Sequence, residues 1–218
     1  MARNRRPPTR GEEIANSVTH GIGAALSIAG LVAIVVVAAL HGSTLRIAAC
    51  AIYGTSLVLL YTSSTIYHAL ADNRAKRVFK IVDHSSICLL IAGTYTPVTL
   101  ITLRGPWGWT LFGLIWGLCV CGILFKSLWI GRLKVASTVV YVLMGWCAVV
   151  AIRPLLAALP WTGFAWLLAG GLCYTAGVAF YVSSGKFAHS VWHLFVMAGS
   201  LCQYWAVFHY VLRAPDIH

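Results

Sequence analysis

"HSVWHLFVMAGSLCQYWAVFHYVL", residues 189–212, contains no Asp, Glu, Lys or Arg, and it opens on two histidines four residues apart. A bilayer core about 30 Å thick is crossed by roughly 20 apolar residues in a helix. The run meets that length, so His189 and His193 stand at the mouth of a membrane helix. Six more runs pass the same test, giving spans at 18–40, 46–69, 79–103, 107–125, 134–152, 161–182 and 188–212. The expected fold is therefore an all-α membrane protein, a bundle of seven transmembrane helices. Residues 1–17 form a polar N-terminal segment and 213–218 a short tail.

Composition agrees. Of 218 residues, 60% are hydrophobic and 10% charged, and the mean hydropathy is +0.83; soluble domains carry roughly 25% charged residues. The net charge of +11 does not imply a nucleic-acid partner, because the basic residues sit in short clusters between apolar runs and not along one face. They read as topology signals. Arg3, Arg5, Arg6 and Arg10, then Arg74, Lys76, Arg77 and Lys80, then Lys126, Arg132 and Lys134, and finally Lys186 fall on one side of a seven-span chain. Arg46, Arg104, Arg153 and Arg213 fall on the other. The positive-inside rule then puts the N-terminus in the cytoplasm and the C-terminus outside.

The seven cysteines lie in apolar runs without zinc-ligand or disulfide spacing and read as small buried hydrophobes. Residues 1–20 are too polar for a signal-peptide core, so the first helix is expected in the mature protein. Pro97 predicts a kink in the third span, eased by Thr94 and Thr96, and Trp107, Trp109, Trp161 and Tyr210 read as interfacial aromatics.

Polar residues within the spans collect at one depth. His68 ends the second span, Asp83 lies about one turn into the third, and His189 and His193 occupy the first two turns of the seventh. Ionisable groups inside a span are costly and point to function. An HxxxH pair alone follows from helix geometry and has a plain interfacial reading. A third histidine at the same depth, with a carboxylate nearby, matches a catalytic zinc site in which three protein ligands leave one position to water. Asp83 then reads as a general acid/base, with a paired carboxylate at a helix start as the plainer alternative. Ser64 lies one turn from His68 on the same face, either in the site or bonded to its own backbone. Glu12, Asn16 and His20 follow at i, i+4 and i+8, as a polar entry face or, the favoured reading, as structural support behind the ligands. His84 is expected to point about 100° away from Asp83, and His41, His209 and His218 are given no role.

These motifs resemble the hemolysin-III branch of the progestin and adiponectin receptor family: "ExxxNxxxH" at Glu12, Asn16 and His20, "SxxxH" at Ser64 and His68, Asp83 in "KIVDHSSICLLIAGTYTP", and "HxxxH" at His189 and His193. The resemblance runs from Glu12 to about Leu212. It implies a seven-helix receptor-like bundle with intramembrane zinc held by His68, His189 and His193, a water bridging toward Asp83, and Ser64 in the same constellation. It also implies kinship with alkaline ceramidases, which hydrolyse lipid amides; the short N-terminus argues against a hormone receptor. Three functions follow as expectations. The leading one is a zinc-dependent hydrolase of a membrane lipid amide or ester in the cell (inner) membrane, with a role in lipid homeostasis. The alternatives are a non-catalytic regulator or receptor in which zinc staples helices, with lipid as ligand, and, ranked last because the spans carry no charged stripe, a pore-forming cytolysin. A bis-histidine haem protein is a minor further option.

Overall fold

A computed structural model of the protein describes residues 6–40, 43–128 and 134–212. Arg3, Arg5, His41, Arg132, Arg213, His218 and the tail 213–218 lie outside the described residues, as does the side chain of Lys134. Seven helices are long and apolar enough to cross a membrane: α1 Arg10–Leu40, α2 Thr44–Ala69, α3 Arg74–Leu103, α4 Gly105–Leu128, α5 Val135–Ala158, α6 Trp161–Val182 and α7 Ala188–Val211. The seven-span expectation holds. Two helices begin earlier than the apolar runs that revealed them, α1 at Arg10 instead of 18 and α3 at Arg74 instead of 79. Hydropathy marks where a helix is greasy, whereas capping marks where it starts: Asn73 accepts a hydrogen bond from the Lys76 amide at 3.0 Å, and Glu12 and Glu13 stand in the first turn of α1, where acids suit the helix dipole.

The packing is that of a membrane bundle. Val18, Ile22, Leu26, Val32 and Val36 of α1 are exposed, an outer face suited to lipid, while the core is built around Ile34, Tyr53, Leu57, Leu60 and Val207. α1 packs along α2, α2 along α3 and α6 along α7, and α1 closes against α7. Close approach depends on small residues. A Cβ placed on Gly93 of α3 would lie 2.1 Å from Ser56 Oγ and 2.7 Å from its Cβ, so Gly93→Val should separate α2 from α3. A loss of about 1–3 kcal/mol is expected, visible as a lower thermal transition for the purified protein; an unchanged transition contradicts this packing.

Irregular turns appear where backbone bonds are lost. Pro97 has no N–H to give, and the helix continues as a π-helical segment, Val98–Leu103. The hydroxyls of Thr94, Thr96 and Thr99 bond back to the carbonyls of Leu90, Ala92 and Tyr95, so the threonines accommodate the irregularity as expected. α5 tightens to a 3₁₀ turn at Cys147–Ala151 before Pro154. All seven cysteines are free; Cys50, Cys88 and Cys119 are buried as small hydrophobes, but Cys121 faces outward, which corrects the uniform expectation.

The loops sort by charge. Lys76 Nζ bonds Glu13 Oε1 at 2.7 Å, and Arg6 and the Phe187 amide both bond Glu12, so the start of α1, the α2–α3 loop and the α6–α7 loop share one end. Arg46 donates to the Leu212 carbonyl at the other end. We propose that the basic end faces the cytoplasm. A phosphatase fused after α7 should be active on the outer side and one fused at Arg74 inactive; the reverse pattern overturns the assignment.

Candidate metal centre

His68 in the last turn of α2 and His189 and His193 in the first two turns of α7 meet at this basic end. One ligand atom from each lies within 4.8 Å of the others, a group that can hold a metal ion. The ring centroids are 5.1 Å apart for His68 and His189, 5.2 Å for His68 and His193, and 4.6 Å for the α7 pair.

Hydrogen bonds behind the rings test whether a metal fits. The Nδ1 of His68 faces Glu13 Oε2 at 2.5 Å. A carboxylate can only accept, so Nδ1 carries a proton, and in the neutral ring Nε2 then keeps a bare lone pair. That Nε2 is buried with no hydrogen-bond partner among the described residues. His193 behaves alike: its Nδ1 donates to the Asn16 carbonyl at 3.2 Å and lies 3.1 Å from Thr19 Oγ1, again leaving Nε2 unprotonated. Two imidazoles fixed with Nε2 lone pairs inside the bundle are a donor set suited to a divalent cation. Without a cation, the buried His68 nitrogen would forfeit a hydrogen bond.

α1 supplies this support, though not as the i, i+4, i+8 stripe suggested. Asn16 is central: besides its carbonyl on His193, its Oδ1 accepts from Ser190 Oγ at 2.6 Å, and its Nδ2 lies 3.5 Å from His68 Nδ1. Glu12 does not touch the triad. Arg6 engages it through two 2.7 Å bonds, Thr9 donates to it, and it accepts from the Phe187 amide at 2.9 Å, pinning the residue just before α7. Phe187 itself is left-handed, with φ of 57°. The carboxylate on His68 is Glu13, which the sequence reading missed, along with Thr19. Spacings of i+3 and i+7 share a helix face as well as i+4 and i+8 do, so Glu13, Asn16 and His20 were an equally valid stripe.

His20 stacks on His193, with centroids 3.5 Å apart and planes within 12°, and meets the Tyr61 ring edge-on. Parallel rings aim their in-plane lone pairs in parallel, so the two cannot converge on one ion in this arrangement. His20 braces His193.

Asp83 and Ser64 come together as expected. Ser64 and Asp83 both line one cavity with His20, His189 and His193. His84, expected to point away, also lines it, and its Nδ1 is 3.5 Å from Asp83 Oδ2. The 100° offset holds for Cα–Cβ directions, but an imidazole on a flexible χ1 reaches back along the helix, its Nδ1 also meeting the Lys80 carbonyl at 2.8 Å. From the histidines the cavity runs between α3, α5, α6 and α7 past Ile87, Ile91, Val142, Val178 and Val196 to Gln203. From His189 to Gln203 this is about 20 Å along the helix.

The fold and site together define a multi-pass membrane protein with a three-histidine group in which His68 and His193 are buried and His189 is half-buried. A "Haemolysin-III related" family model matches residues 9–204, and the chain belongs to that family, as its motifs implied. It is 48% identical over 202 residues to "Hemolysin-3" of Bacillus cereus, covering 92% of each chain. It is 43% identical over 205 residues to "Hemolysin-3 homolog" of Bacillus subtilis (strain 168), covering 94% of this chain and 96% of that one. A more distant relative is "Monocyte to macrophage differentiation factor" of Homo sapiens, 28% identical over 221 residues, covering 98% of this chain and 90% of the relative. No solved structure gives a significant match.

Proposed function

We propose that the protein is a zinc-dependent hydrolase of a membrane lipid amide or ester, resident in the cell membrane, with its site at the cytoplasmic leaflet and a role in lipid homeostasis. The observation that carries this reading is the joining of three chemistries in one place: an imidazole triad, a carboxylate with a serine on the same cavity wall, and an apolar cavity leading away from both. His68, His189 and His193 would hold the ion. A zinc ion held there would supply Lewis acidity toward a carbonyl and toward water near neutral pH.

The chain's own groups do the rest. Asp83 accepts a proton from the attacking water and returns it to the leaving group. Ser64, on the same cavity wall, offers its hydroxyl to the attacking water or to the developing oxyanion. The cavity wall takes the acyl chain and excludes bulk water, while the polar head stays at the basic end of the bundle. This arrangement supports a hydrolase over a pore, because the reactive groups gather at one end and do not line a path across the bundle. The test is release of free fatty acid from labelled ceramide and labelled phospholipid in proteoliposomes. Release by the wild type that disappears in Asp83→Ala is expected; release that survives in the variant defeats the mechanism.

A further inference from the structure

The geometry points to Glu13 as a positioning residue for the metal: its carboxylate holds His68 in the Nδ1–H tautomer and aims Nε2 at the ion. This rests on the reading that the triad holds a metal, and extends it to a residue on a helix that supplies no ligand. Three contacts carry it. Glu13 Oε2 lies 2.5 Å from His68 Nδ1, Glu13 Oε1 accepts from Lys76 Nζ at 2.7 Å, and Lys76 Nζ also donates to the Leu70 carbonyl at 3.1 Å. The carboxylate is thus held from two sides and cannot swing off the ring without leaving the lysine. The ring's other nitrogen is buried and unpartnered among the described residues. Asn16 Nδ2, a donor, lies 3.5 Å from Nδ1 and would favour the opposite tautomer. Glu13 decides between them by being closer and charged, and it raises the basicity of the nitrogen left for the ion.

The test uses zinc itself, titrated against a chromogenic chelator into the purified full-length protein. Glu13→Gln keeps the shape and a weaker acceptor, and Glu13→Met keeps only the shape. Zinc affinity should fall in the order Glu, Gln, Met, by about 10–100-fold overall, with stoichiometry still one per chain. Lys76→Met leaves the carboxylate on His68 and should cost much less. Equal losses in Lys76→Met and Glu13→Met would assign the effect to helix docking and overturn the proposal, as would wild-type affinity in Glu13→Met. Nitrogen-15 spectra of the metal-free wild type provide a check that needs no variant: His68 should be Nδ1–H, and an Nε2–H tautomer overturns the role. A wild type that takes up no zinc, with His68→Ala indistinguishable from it, fails the metal reading first and this one with it.

Discussion

His193→Ala should strip the metal from the purified protein. The wild type is expected to hold about one zinc per chain, and loss of one of three protein ligands forfeits more than the about 10–100-fold that an outer partner contributes. His193 is the most severe of the three because its ring makes contacts beyond the triad. It is 2% exposed, stacks on His20 and ties α7 to the Asn16 carbonyl, so the variant also opens a hole at the contact between α1 and α7. His68→Ala and His189→Ala should lose the metal with less effect on folding. His209→Ala, at the opposite end of α7 against Trp205 with centroids 4.0 Å apart, should keep full occupancy. Elemental analysis of the four variants decides the matter, and equal metal loss in His209→Ala would show that the ion is held elsewhere.

Asp83→Asn should separate binding from chemistry. The amide preserves the shape of the side chain and one acceptor oxygen, but it cannot take a proton near neutral pH. Zinc content should therefore stay near the wild-type level while hydrolysis falls by about 10²–10⁴-fold, the usual contribution of a positioned general base. The opposite pattern is equally informative. Metal loss in Asp83→Asn would make the carboxylate a fourth ligand, close the open position and favour a structural staple over a hydrolase. Both quantities come from one sample, so differences in preparation cannot produce the split.

Much of this was legible in the chain because membrane helices announce themselves twice, by apolar length and by the cost of anything polar within them. His68, Asp83, His189 and His193 stood out at one depth, and the three histidines meet as a group that can hold a metal ion. Ser64 was legible through its four-residue spacing from His68. Less legible were features that depend on where helices begin and how side chains bend. Hydropathy placed the first span at residue 18, beyond Glu13, so that acid looked like part of a polar leader when it sits in the first turn of α1. Adjacent Glu12 and Glu13 cannot be told apart by periodicity alone, and they do different work: one pins Phe187, the other holds His68. His84 was misplaced because helical wheels give Cβ directions and omit rotamers.

Acyl release measured against zinc occupancy in one preparation ties hydrolysis to the metal or separates the two. Metal-free protein in liposomes containing labelled ceramide and labelled phospholipid is titrated with zinc, and free fatty acid is quantified at each step. No release is expected without metal, followed by a rise in proportion to bound zinc and a plateau at about one zinc per chain. Release that is already maximal in the metal-free protein, or no release from either lipid at full occupancy, would contradict it.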